Sequence, residues 1–267
     1  MIQNSQDQEI YKQCRNKISF RWTERDNIKS IINNNIANII QFLEQYKIHK
    51  DTYFEIQANY YNCCLVITSL NSFDYTKLFD TFNVAYLEIN NNVIKNNKFL
   101  IMIKDKIIFR QHNTFHQTDD NICERIYDII IKFGNNYNNL ILLGGEMYVF
   151  SQILTYKNLL CYSDFQSIVD DTQFNLDTNE NIYFVDYDKL NLDYNKNNTC
   201  LIANTGKSGM GQNICNNIMK NNIATVIIIS CNNKSFERDY NYLSKNYKII
   251  ERIKLLYVNI IVLENVY

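Results

Sequence analysis

Apolar positions along the first half of the chain alternate between two periods. Ile32, Ile36, Ile39, Ile40 and Leu43 recur near 3.6 residues within 29–46, so an amphipathic helix is predicted there. Residues 53–57 and 62–70 then read as two strands close enough to form a hairpin. A helix over 75–82 and strands over 84–89, 99–103 and 106–110 complete an α+β segment, so a small sheet-bearing domain is expected over residues 1–110.

From about residue 117 the rhythm changes. Helical stretches alternate with short, continuously apolar runs, the pattern of a parallel sheet buried on both faces. The predicted order is helix 119–133, strand 139–143, helix 148–156, strand 159–163, a short helix after Asp164, and strands 182–186 and 199–203. Helix 211–220, strand 224–230, helix 235–245 and two closing strands, 248–256 and 259–267, follow. This is the order of a doubly wound α/β domain ending in an antiparallel hairpin, expected over 111–267.

Composition alters this picture in few places. Asn, Ile, Lys and Tyr are heavily used and Pro is absent, as from a strongly AT-biased gene. The Asn residues are scattered among periodic apolar segments, so the chain reads as globular rather than low-complexity. Lys and Arg number 27 against 28 for Asp and Glu, so any nucleic-acid contact must come from a local patch. Eight cysteines lack a CxxC pair or regular spacing, which excludes a recognisable zinc or disulfide framework; with no signal-like or membrane-spanning apolar run, a cytoplasmic, non-membrane protein is expected.

Five of the six glycines fall in two places: Gly144-Gly145, and Gly206, Gly209 and Gly211. Both places follow a predicted strand and precede a predicted helix. In open α/β sheets that is the ligand-binding edge, although tight-turn chemistry alone also uses glycine. Asn204-Thr-Gly-Lys-Ser-Gly-Met-Gly211 is not a P-loop, because the position of its first glycine is Leu201. Cys231 ends the most continuous apolar run, Ala224 to Ser230, and precedes a helix. A cysteine so placed is a candidate nucleophile; the other seven read as small buried hydrophobes.

These residues resemble the RNA uracil-5-methyltransferases, most closely those that act on tRNA. The family carries a D-P-P-R-x-G loop, then S-C-N-P, R-D-L-x-x-L and a closing glutamate. The corresponding segments are Asn204 to Gly209, Ser230-Cys-Asn-Asn233, Glu237-Arg-Asp239 with Leu243, and Glu264. Phe109-Arg-Gln and Asn113 to Gln117 resemble the family's F-x-Q-x-N segment, and Leu142 to Ser151 takes the place of its first glycine-rich loop.

The resemblance implies a Rossmann-like domain with S-adenosylmethionine as cofactor and RNA, foremost tRNA, as substrate. It also implies Cys231 as the nucleophile that adds to uracil C6 and Glu264 as the base that removes the C5 proton. Gln117, Gly144, Gly145, Asp164 and Asn204 are the implied cofactor contacts, with no metal and a monomeric state expected. Asn204 replaces the family's aspartate, Lys207 its arginine, and the loop prolines are missing. A catalytically inactive copy that serves as an RNA-binding or assembly module, and a Rossmann-like methyltransferase for another substrate, therefore stay open beside the active enzyme.

Overall fold

The computed structural model describes residues 15–68, 75–179, 181–192 and 198–266. The chain divides into two compact units, 1–99 with 117–124, and 100–116 with 125–267.

The first unit holds a five-stranded mixed sheet. Its strands are β1 (Lys17–Arg21), β2 (Tyr53–Ala58), β3 (Cys63–Thr68), β4 (Val84–Ile89) and β5 (Asn92–Asn96), paired in sequence order. Only β3 and β4 are parallel. Among the described residues, helices α1 (Arg25–Ile28), α2 (Asn34–Leu43) and α3 (Thr76–Thr81) lie wholly in this unit.

Helix α2 starts where it does because Asn33 caps it, its Oδ1 accepting from the Ile36 N–H at 3.0 Å. Its Ile36, Ile39, Ile40 and Leu43 are buried against Phe54, Ile56, Leu65 and Leu87 of the sheet. The predicted apolar stripe is thus the face that packs.

Strands β6 (Phe99–Ile103) and β7 (Lys106–Arg110) form a separate two-stranded ribbon. Residues 100–110, expected with the first domain, cluster with the second unit instead. The reason is packing: β7 lies against two helices of that unit.

The second unit is built on a seven-stranded sheet. Helix α4 (Asp120–Gly134) leads to β8 (Asn139–Gly144), α5 (Met147–Ile153), β9 (Asn158–Ser163), α6 (Gln166–Leu176), β10 (Ile182–Phe184) and β11 (Thr199–Asn204). Then come α7 (Gly211–Lys220), β12 (Thr225–Ser230), α8 (Asn233–Leu243), β13 (Tyr247–Leu255) and β14 (Val258–Asn265). The strand order is β10-β9-β8-β11-β12-β14-β13, with β14 antiparallel to both neighbours and the rest parallel.

Alternate residues of the central strands face opposite layers. Ile141, Leu143, Leu201, Ala203, Val226, Ile228, Ile261 and Leu263 share one cluster with Ile214 and Ile218 of α7 and Phe236 and Leu243 of α8. The intervening Leu142, Ile202, Ile227 and Val262 are equally buried on the other face. Continuous apolar runs are what such a two-sided burial requires. No helix among the described residues is long and apolar enough to cross a membrane.

Candidate functional site

The parallel strands of the second unit end together, and their order reverses between β8 and β11. Gly144 pairs with Asn204 at the ends of β8 and β11, and Ala203 with Ile228 near the ends of β11 and β12. Such a reversal opens a crevice outside the carboxyl ends of the strands. Gly144, Gly145, Asp164, Asn204 and Cys231 all sit at this edge, as the sequence predicts.

Cys231 is the exposed cysteine among those described; Cys63, Cys64, Cys123, Cys161, Cys200 and Cys215 are buried. Its neighbours hold it out. Ser230 Oγ accepts from the Asn232 N–H at 3.2 Å. Asn232 caps α8 by accepting from the Lys234 N–H at 2.9 Å, while its Nδ2 donates to the Lys207 carbonyl at 3.0 Å. The Ser-Cys-Asn triplet is therefore a turn that ties the loop after β11 to the start of α8 and leaves the thiol outside.

The thiol lines an open cleft of about 470 Å³ with Lys207, Lys234, Lys254, Leu256 and Tyr257. Lys254, Leu256 and Tyr257 come from the tip of the β13–β14 hairpin. Leu256 holds φ +47° there, a left-handed conformation uncommon for a bulky side chain. The cleft carries three ammonium groups and no carboxylate. It suits a polyanion that brings a flat, apolar-faced group past the thiol.

Glu264, expected beside Cys231, is elsewhere. It pairs with Thr225, the first residue of β12, whereas Asn259 pairs with Ser230, the last. Five residues of strand put Glu264 about 17 Å from the cysteine's edge of the sheet. Its carboxylate is bound to Lys248 at 2.8 Å. The base role is thus corrected: an antiparallel β14 carries Glu264 toward the amino ends of the parallel strands. The β14 residue beside the cleft is Asn259, whose Nδ2 donates to Asn233 Oδ1 at 2.7 Å.

The loop after β8 is shaped mostly from within the chain. Gly144 has φ +85°, and a Cβ there would strike the Asn204 carbonyl. A Cβ on Gly145 would lie 2.7 Å from the Phe115 ring. Both glycines therefore allow close packing of the chain on itself. Glu146 follows at φ +61° and is fully buried. Its carboxylate accepts from Tyr127 Oη at 3.0 Å and Asn204 Nδ2 at 3.3 Å, and faces His116 Nδ1 at 2.9 Å. Asn204 is thereby a partner of Glu146. Met147 and Tyr148 are buried in the core.

Asp164 stands exposed just past β9. Partial desolvation, reinforced by the charge of Asp186, holds its carboxyl above the usual range. Gln117 belongs to the first unit, buried, with its carbonyl accepting from Asn16 Nδ2 at 3.3 Å. The Arg238-Asp239 pair braces the loop after β11. Asp239 accepts from the N–H groups of Met210 at 2.7 Å and Gly211 at 3.3 Å, and Arg238 donates to the Ser208 carbonyl at 2.7 Å.

Lys234, Lys254, Tyr257 and the His116–Glu146 pair escaped the sequence reading. Their partners lie far apart in the chain, and no local spacing marks them.

Neither a protein-family model nor a curated protein matches the sequence. Among solved structures, the chain is similar to the Pyrococcus abyssi tRNA (uracil-54, C5)-methyltransferase in complex with S-adenosyl-L-homocysteine. The TM-score is 0.65 at 14% identity, over 94% of this chain and 75% of that one. A putative SAM-dependent methyltransferase from Streptococcus mutans matches with a TM-score of 0.47 at 13% identity, over 79% of this chain and 71% of that one, and adds nothing to it. The chain has an α/β, Rossmann-like methyltransferase fold.

Proposed function

We propose that the protein is an S-adenosylmethionine-dependent RNA methyltransferase that acts on uridine C5, in tRNA foremost, through Cys231. The observation that carries this reading is the exposed thiol at the carboxyl end of β12, in a cleft lined by three lysines. Most Rossmann-like methyltransferases need no nucleophile, so a held-out cysteine at this edge favours the class that does. The fold likeness to a uracil C5 enzyme supports the same reading.

The residues present fit the cofactor in one respect. The exposed Asp164 carboxylate at the end of the second strand of the crevice is an acceptor suited to ribose hydroxyls. Asp164 and the Gly144-Gly145 backbone would hold the cofactor, which supplies an electrophilic methyl group. Asn204 would act indirectly, through Glu146.

In the proposed chemistry the Cys231 thiolate adds to uracil C6, and its electron pair pushes the C5–C6 π electrons onto C5 as an enolate. C5 takes the methyl group, and loss of the C5 proton then expels the thiolate and restores the double bond. Lys207, Lys234 and Lys254 would hold the flanking phosphates. With Glu264 on the opposite edge, no cleft side chain is an evident base, so the C5 proton passes to water.

A second reading, an inactive copy that keeps RNA affinity, is favoured by that same absence of a carboxylate beside Cys231. RNA containing 5-fluorouridine separates the two, because fluorine at C5 cannot leave as a proton. Incubation with the methyl donor should give a protein–RNA conjugate that survives denaturation and is lost in Cys231→Ala. Binding without a conjugate would leave the inactive reading.

A further inference from the structure

The first unit carries a pocket of its own, lined by no charged residue. It has a volume of about 200 Å³ and lies between the β2–β3 turn, the first turns of α2 and the end of α3. Tyr60 projects from that turn with 86% of its surface exposed. The turn is fixed: Asn59 Oδ1 accepts from the N–H groups of Tyr61 at 2.8 Å and Asn62 at 3.0 Å. Tyr61 lies edge-on to Tyr60, with ring centroids 5.4 Å apart. Asn35 and Asn38, three residues apart and so on one face of α2, bring amides to the same pocket.

An aromatic ring kept in solvent by a locked turn loses burial energy that a tyrosine ordinarily gains. Beside it stand amides that offer a donor and an acceptor each. The absence of charge argues against a phosphate or a carboxylate as ligand. The volume falls below the ~300–1,000 Å³ of drug-sized ligand pockets, which leaves room for a single ring. Cys63 also lines the pocket, and burial pushes its thiol up to about 12, which disfavours it as a nucleophile at neutral pH.

We infer that this pocket is a binding site for one unpaired nucleobase of RNA, stacked on Tyr60 and read at its edge by Asn35 and Asn38. Base–aromatic stacking and amide pairing with base edges are the recognition chemistry for which these side chains are suited. The choice of a nucleobase over another polar ring rests on the RNA reading above. Methyl transfer itself is not required for it.

The test uses the full chain with Cys231→Ala, no methyl donor, and Tyr60→Trp as a stacking reporter. The native chain's single Trp22 is buried and supplies the blank. A single-stranded oligoribonucleotide should quench the new indole saturably, and an abasic oligonucleotide of equal length should not. Asn35→Ala and Asn38→Ala in that background should weaken the quenching affinity several-fold, with the circular dichroism spectrum unchanged. Without the reporter, Tyr60→Ala should weaken oligonucleotide binding about 5-fold or more, and Tyr60→Phe should retain it. Equal quenching by the abasic strand, no quenching, or quenching by free monosaccharides instead of RNA would overturn the inference. Saturable quenching in this chain, together with no methyl transfer by the chain that keeps Cys231, would sink only the catalytic reading.

Discussion

Cys231 and Glu264 lie at opposite ends of one antiparallel strand pair, the first just past Ser230 and the second opposite Thr225. The residue opposite Ser230 is Asn259, an amide. A cleft with a thiol and three lysines but no carboxylate can form an adduct at uracil C6 more readily than resolve it. A Cys231–RNA adduct is therefore expected to build up with natural RNA and methyl donor, visible as a retarded band on a denaturing gel. Asn259→Asp, nearly isosteric, should place a carboxylate at the cleft edge and shorten the adduct's lifetime. An unchanged lifetime would mean that proton loss is not the slow step.

Exposure separates the cysteines sharply. Burial pushes Cys63 and Cys215 up to about 12 and raises Cys161 and Cys200 as well. In a Cys14→Ser background, an aromatic disulfide reagent at pH 8 should titrate one thiol quickly in the native protein and seven after unfolding. Cys231→Ala should remove the fast one. Two fast thiols would show that a cysteine placed in the core is accessible.

Asp239 braces the loop after β11 from within, 1% exposed. Replacing it with alanine leaves the Met210 and Gly211 N–H groups without their acceptor. That should cost about 1–3 kcal/mol in urea unfolding. Asp239→Asn keeps an acceptor oxygen and should cost less.

Asp164 has a testable sign. Its carboxyl is raised above the ordinary 3.8 by partial desolvation and by the charge of Asp186, so its neutral form is the one the fold favours. The stability it contributes is present below the ordinary value and lost as pH rises through the raised one. Asp164→Asn should thus melt higher than the parent at pH 7 and alike at pH 3. It should also bind S-adenosylmethionine more weakly, because an acceptor for the ribose is removed. A variant that melts lower at pH 7 would contradict the sign.

The apolar runs made the second unit's sheet readable, because strands buried on both faces leave little else in their composition. Cys231 was readable for the same reason, as the first residue past the longest such run. Strand β5 was not, since Asn92 to Asn96 is exposed or half-buried throughout and has no apolar face to mark it. Glu264 was misplaced because register is set by the hairpin turn. Here the turn uses Leu256 in a left-handed conformation, with no glycine or asparagine at that position to signal it. The glycines marked the right edge, yet Gly145 accommodates Phe115, a contact across thirty residues that no local pattern records.

The most direct measurement is transfer of labelled methyl from S-adenosylmethionine to an unmodified tRNA transcript, followed by nucleoside digestion. Label is expected at C5 of uridine with the native chain and none with Cys231→Ala. Transfer undiminished in Cys231→Ala, or a folded native chain that binds RNA and cofactor yet transfers nothing, would contradict it.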